Sequence, residues 1–387
     1  MGGMVAAMIL AIFTVVSAGS MTHGFVSYYT ASRLLVSGEL GPRAYDDQWF
    51  GEQVKEQTAS NVREIFIPNP PTMAVMALPL VRLDAERARA AWLIASLLVF
   101  IASIAALVKY QALRNRDVSI PVLLLMMLSP AVFTNLRIGQ GYLIVFALFT
   151  ATALLLIKQR DRAAGICLGL LLALKTSGVA IVFLLISTRR WKALAAAGIT
   201  AAILAIAITP FIDAAMWAIY PSQVNAYVAR PASSVTAYQT TLSLTRRLCV
   251  ADPQWNPSPA AGCASIAFIV PALLIGSATI LTIVLAMRSR RVEPWVAAGA
   301  TLSVLSLPAV AEPHFVLMAI PLALVRLQPL ELVVIAALLL VPLEFTAERF
   351  TAGWAVLLAY PRLYGAWLLW AASVRELFAA QPAPAVP

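Results

Sequence analysis

The chain has 387 residues, of which 61% are hydrophobic and only 12% charged, with a mean hydropathy of +0.85. A soluble protein carries roughly twice that share of charge to cover its surface, so a water-soluble globule is excluded and lipid-facing side chains account for the excess. The formal charge of +10, from 28 Lys and Arg against 18 Asp and Glu, is the pattern of cytoplasmic loops beside anionic lipid. No nucleic-acid partner is expected from it.

The apolar runs are rich in Leu, Ala and Val and lack short alternating strands, which predicts an all-α integral membrane protein rather than a barrel. The first run, Met4 to Ala18, has neither a basic start nor an Ala-x-Ala exit and reads as a retained signal anchor. A hydrophilic stretch follows, His23 to Pro71, at about 50 residues too long for a simple connector. It carries aromatics at Tyr28, Tyr29, Tyr45, Trp49 and Phe50, and acids at Glu39, Asp46, Asp47, Glu52, Glu56 and Glu64.

Apolar runs then recur at Thr72–Leu83, Ala90–Val108, Ile120–Thr134, Tyr142–Ile157, Ala163–Leu174, Gly178–Ser187 and Ala193–Phe211. After a second polar loop they continue at Ala264–Met287, Trp295–Val310, Phe315–Leu324, Leu330–Leu343 and Ala352–Trp370. Several are shorter than a straight span and read as half-spans or re-entrant pieces, for about 11–13 membrane helices in all.

Short basic loops at Lys158–Arg162, Arg189–Lys192 and Arg288–Arg291 are assigned to the cytoplasm. Counting crossings between them places Arg137–Tyr142, Lys175–Ser177, Ile212–Gly262 and Glu312–His314 on the opposite side. One step leaves a choice: either Thr72–Leu83 does not fully cross, or the turn at Arg82–Arg89 is external. The expected organisation is a single domain over residues 1–375, with extracytoplasmic loops at 21–71 and 212–262 and a disordered tail at 376–387. Within the second loop, Leu242–Leu248 reads as an amphipathic interfacial helix. Cys249 and Cys263 lie there too and pair if that loop faces an oxidising compartment. No tandem repeat is visible.

Polar residues that interrupt apolar runs mark candidate chemistry. Lys175 ends one run and is either a snorkelling lysine or a cationic contact for an anionic headgroup. Arg137-Ile-Gly-Gln140-Gly-Tyr142 joins two runs on the same side and offers a second phosphate partner. Glu312-Pro313-His314 holds one of two histidines and can position a hydroxyl or move a proton. No metal is expected, because no His, Cys and acid cluster has ligand spacing, and nucleotide and hydrolase motifs are absent. Cations, an acid, a histidine and an acidic loop on one side fit an enzyme that takes a lipid phosphate from the bilayer better than a pore.

The order of motifs resembles glycosyltransferase family 87, a group of GT-C-type integral membrane enzymes. The likeness rests on Phe25-Val-Ser-Tyr28-Tyr29-Thr-Ala31-Ser-Arg33-Leu-Leu-Val-Ser-Gly38, Tyr45-Asp46, Pro70-Pro71-Thr72 and Leu78-Pro79-Leu80. It continues through Gly139-Gln140, Ala173-Leu174-Lys175, Tyr238-Gln239-Thr240 and Glu312-Pro313-His314-Phe315. The resemblance implies a GT-C-like bundle in a bacterial-type plasma membrane and a polyprenyl-phosphate sugar donor, usually mannose. It also implies a lipid or glycan acceptor, inversion at the anomeric carbon and no cofactor beyond the donor substrate. Carried over, Lys175 and Arg137 would face the phosphate, Gln140 and Gln239 would orient donor or acceptor, Tyr28 and Tyr29 would border the donor, and His314 would border the sugar.

This chain departs from the family pattern at four positions. The Asp expected as base before Phe25 is Gly24, and the Asn after Gly-Gln-x is Tyr142. The Pro after the lysine is Thr176, and the Asn before Gln239 is Tyr238. Glu312, Asp46 or Asp47 are then the substitute bases, with His23 behind them. A lipid-linked glycan flippase and an inactive relative are the alternative readings.

Overall fold

The computed structural model describes residues 2–114, 120–230, 235–342 and 353–379. Among them the regular structure is helical, with one isolated bridge between Asp252 and Asn256. In chain order the helices are α1 (Gly2–Ala18), α2 (Phe25–Ser37), α3 (Asp47–Thr58), α4 (Ala85–Ala112), α5 (Ile120–Met127) and α6 (Pro130–Ile138). Then come α7 (Tyr142–Ile157), α8 (Asp161–Lys175), α9 (Val179–Ser187), α10 (Trp191–Ile208), α11 (Ala215–Ala229) and α12 (Thr241–Cys249). The last are α13 (Ile269–Arg288), α14 (Val292–Leu305), α15 (Ala319–Leu324), α16 (Pro329–Leu340) and α17 (Pro361–Ala379).

Four stretches are long and apolar enough to cross a bilayer: Ala85–Ala112, Ile120–Ile138, Trp191–Phe211 and Ala264–Arg288. The third leaves Ile199, Ile203 and Ile206 exposed. Their spacing by three and four puts them on one face of α10, an outward apolar stripe that water would not tolerate and lipid does. The protein is an all-helical membrane protein. Several other members are short: α8 is 15 residues and α9 only nine, or about 22 and 14 Å at 1.5 Å per residue. The interruptions are encoded locally. Ser129 caps α6 by accepting the Val132 amide, and Pro130 sits at its first turn, which separates α6 from α5.

Thr72–Leu83 does not form a spanning helix. It folds into 3₁₀ turns at Pro71–Val75 and Leu78–Leu80, and the prolines at 71 and 79 deny an α-helix its amide donors. The first loop therefore runs on to Asp84, which caps α4. The turn at Arg82–Arg89 stays at the cavity end with that loop, where Arg89 donates to the Arg137 carbonyl and Trp92 to that of Gly139. From there α4 alone leads to the other end of the bundle. This loop has its own hydrophobic core, where Phe25, Tyr29, Phe50, Phe66 and Met73 pack with Trp92 of α4 and Met216 of α11. The main core unites α4, α7, α14 and α17 around Phe100, Phe146, Trp295 and Leu369.

The second polar loop also differs from expectation in detail. α12 forms where an amphipathic helix was expected, but its charged face is buried rather than turned to headgroups. Arg246 donates to the carbonyl of Val228 at 2.9 Å, and Arg247 donates to that of Trp255. Their guanidinium groups serve carbonyls of the irregular chain nearby, which hydrocarbon could not solvate. A disulfide joins Cys249 to Cys263 just after α12. At the C-terminus α17 continues through Ala379, beyond the expected boundary at 375. The remaining tail, 380–387, lies outside the described residues.

Candidate active site

A cavity of about 730 Å³ opens between the first loop and the helix ends of the bundle. Its walls come from the start of α2, the 64–70 segment, the end of α6, the start of α7, the end of α8, α11, residues 237–238, the 307–314 corner and Arg362 of α17. Helix order fixes which end of the bundle this is. α7 runs from Tyr142 at the cavity to Lys158, α8 returns from Asp161 to Lys175, and α14 runs from the Arg288–Arg291 turn back to the cavity at Leu307. The cavity thus stands at the opposite end of these helices from the arginine-rich turns.

Lys175 is the centre of the arrangement. It lies in the last turn of α8, where exposed carbonyls favour a cation, and Thr176 ends the helix in the left-handed conformation at φ 48°. The Thr72 hydroxyl donates to the Ala173 carbonyl and ties that helix end to the first loop. The Lys175 ammonium donates to Asn69 Oδ1 at 2.8 Å and sits 4.8 Å from the ring centre of Tyr28 and 5.4 Å from that of Tyr142. Two π faces and an amide oxygen hold the charge in place without neutralising it. Asn69 is itself oriented, because its Nδ2 donates to the Phe66 carbonyl at 2.6 Å.

Around this lysine the hydrogen bonds form a frame. Tyr28 donates to Gln140 Oε1 at 2.6 Å and accepts from the Gly141 amide at 3.2 Å. Burial pushes the Tyr28 hydroxyl well above the usual phenol range, so it remains a donor. His314 stacks on Tyr142 with ring centres 3.9 Å apart, and its Nδ1 is 3.1 Å from the Ala311 carbonyl. With the proton on Nδ1, Nε2 is left as the acceptor. Asn135 fixes this corner by donating to the Pro313 carbonyl at 2.9 Å.

Two carboxylates line the cavity, Glu312 and Glu64. Glu312 accepts from Arg362 at 2.5 Å through Oε1 and from the Thr134 hydroxyl through Oε2. Glu64 is held by backbone: Oε2 accepts from the Gly24 amide at 2.6 Å and Oε1 from the Ile65 amide at 3.0 Å.

The structure brings Lys175, Gln140, Tyr28, Glu312 and His314 together at the cavity. It places five other sequence-predicted residues elsewhere. Asp46 caps α3 by accepting the amides of Gln48 and Trp49, and Asp47 pairs with Arg230 at 2.8 Å. Tyr29 donates to the Leu83 carbonyl inside the core of the first loop. Arg137 has an exposed side chain, its carbonyl accepting from Thr22 and Arg89. Gln239 is buried with Nε2 donating to the carbonyls of Thr236 and Ala359. Apart from Arg137, each is absorbed by a capping, pairing or packing task. Asn69, Glu64, Arg362, Tyr227 and Tyr238 line the cavity without having been singled out as site residues. Asn69 and Glu64 lie in a polar stretch, where a polar residue does not stand out.

A protein-family model described as glycosyltransferase family 87 matches residues 66–308, more than half of the chain. The chain belongs to glycosyltransferase family 87. Comparison with curated proteins finds no match. The span that defines family 87 here contains Asn69, Gln140, Tyr142 and Lys175, while Tyr28, Glu64, Glu312 and His314 lie outside it. Membership in family 87 makes the chain a membrane glycosyltransferase.

Proposed function

We propose that the chain transfers a sugar, mannose in the first instance, from a polyprenyl-phosphate donor to a hydroxyl of a lipid or glycan acceptor, with inversion at the anomeric carbon. The observation that carries this reading is the Lys175 ammonium, displayed in a cavity of about 730 Å³ by Asn69, Tyr28 and Tyr142. A donor phosphodiester seated there gains a charge-assisted contact that strengthens as the C1–O bond breaks and charge accumulates on the leaving phosphate. Gln140, fixed by Tyr28, and His314, fixed by Tyr142, offer hydrogen bonds to sugar hydroxyls. The polyprenyl chain lies in the surrounding lipid, which also brings a lipid acceptor. The arginine-rich turns face the cytoplasm by the distribution of basic residues, so the cavity opens on the outer side of a bacterial-type plasma membrane.

The test is incubation of the purified protein with radiolabelled polyprenyl-phosphate-mannose and octyl mannoside, with analysis of the product's anomeric configuration. An α-linked product from a β-linked donor is expected. Retention of configuration contradicts the mechanism. Transport of the donor across proteoliposomes with no transfer identifies a flippase instead.

A further inference from the structure

Direct displacement at the anomeric carbon needs a group that takes the acceptor's proton, and the cavity offers two carboxylates for it. Glu312 is committed. It forms an ion pair at 2.5 Å with Arg362, whose side chain is 1% exposed, and it also accepts from Thr134. Protonating Glu312 in each cycle would remove the charge that faces a buried guanidinium, a costly step. Glu64 has no such obligation. The amides of Gly24 and Ile65 that donate to it are neutral, and they persist while the carboxylate gains and loses a proton. Its side chain is 19% exposed and reaches the cavity. Lys175 lines the same cavity.

The backbone at Gly24 is shaped for this. Gly24 has φ +84°, and a Cβ there would lie 2.5 Å from the Ile138 carbonyl oxygen. No side chain fits, and the bare amide is free to hold Glu64 instead.

We propose that Glu64 is the general base of the transfer reaction, held by the Gly24 amide so that its carboxylate faces the acceptor hydroxyl. This assignment rests on the glycosyltransferase reading of the same cavity. The acceptor oxygen forms a bond to C1 of the sugar as the bond between C1 and the phosphate oxygen breaks. The hydroxyl proton passes to Glu64, and the bonding pair leaves with the polyprenyl phosphate. One negative charge moves from Glu64 to the phosphate, where the Lys175 ammonium in the same cavity receives it. His23 is 66% exposed and its Nδ1 lies 3.8 Å from Glu64 Oε2, a gap that a proton crosses only through a bridging water.

The experiment compares the full-length wild type with Glu64→Gln and Glu312→Gln, using polyprenyl-phosphate-mannose and octyl mannoside. Donor binding, melting temperature and kcat are read for each. The carboxamide that Glu64→Gln introduces keeps an oxygen for the Gly24 amide and gives up the acceptor of the Ile65 amide. This variant is therefore expected to fold with a slightly lower melting temperature and to bind donor as the wild type does, while kcat falls at least about 100-fold. Glu312→Gln is expected to lower the melting temperature and to retain, per folded molecule, more turnover than Glu64→Gln. A Glu64→Gln enzyme within about threefold of wild-type kcat overturns the assignment and leaves the glycosyltransferase reading intact. Parallel loss of donor affinity and turnover in that variant also overturns it, making Glu64 a donor-binding residue. A wild type that binds donor and transfers nothing to any acceptor overturns both.

Discussion

At the scale of single residues, the site depends on which polar groups are held by structure and which remain available. Gly24 shows the constraint most sharply. Restoring an acid there with Gly24→Asp forces a side chain into left-handed backbone at φ +84° and against the Ile138 carbonyl. The expected result is a loss of about 1–3 kcal/mol of stability with no gain in turnover, read by thermal unfolding and transfer assay. Two carboxylate–arginine pairs, one at the cavity and one away from it, differ in burial. Glu312→Gln removes the charge that faces the buried Arg362 guanidinium and should cost about 3 kcal/mol or more. Asp47→Asn breaks a pair whose partners are 41% and 40% exposed and should cost at most about 1 kcal/mol. Unfolding of both variants in one detergent makes the comparison. Lys175, Gln140, Glu312 and His314 were legible in the sequence because each interrupts an apolar run, where a polar group needs a reason. Glu64 and Asn69 sit among polar neighbours, and only their place in space separates them from Asp46 and Asp47.

At the scale of elements, α8 presents the lysine and α10 supports α8. Gly165 and Gly169 let the two helices touch at the backbone: a Cβ at either would come within 2.2 or 2.5 Å of the carbonyls of Ala193 and Ala197. Close approach of this kind replaces the hydrophobic drive that lipid cannot supply. Gly169→Val is expected to destabilise by about 1–3 kcal/mol and to lower donor affinity by displacing Lys175, while Gly198→Val, which meets nothing within 4 Å, does neither. Thermal unfolding with donor titration checks both. The disulfide after α12 makes a separate statement. Of three cysteines only Cys167 is free, so non-reduced protein should react with thiol reagent at one site, and labelling at three contradicts the bond. The spacing of these cysteines and the existence of α12 were legible in the sequence. Its orientation was not, because arginine beside leucine reads the same whether the charge faces lipid headgroups or buried carbonyls.

At the scale of the whole molecule, the protein separates its charges by end. Arginine-rich turns close one end of α7, α8 and α14, and the cavity with Lys175, Glu64 and Glu312 occupies the other. That separation was legible in the sequence, since it needs only the order of apolar runs and basic loops. The fate of Thr72–Leu83 was not, because hydropathy alone cannot distinguish a short span from apolar 3₁₀ turns packed on a loop. The account as a whole rests on a lipid-linked phosphate meeting Lys175 in this cavity. Equilibrium binding of polyprenyl-phosphate-mannose to the full-length protein in lipid nanodiscs, wild type beside Lys175→Ala, tests that most directly. Saturable binding by the wild type, competed by polyprenyl phosphate and weakened roughly 10- to 100-fold by the substitution, is the predicted result. Equal affinity of the two proteins for the donor contradicts it.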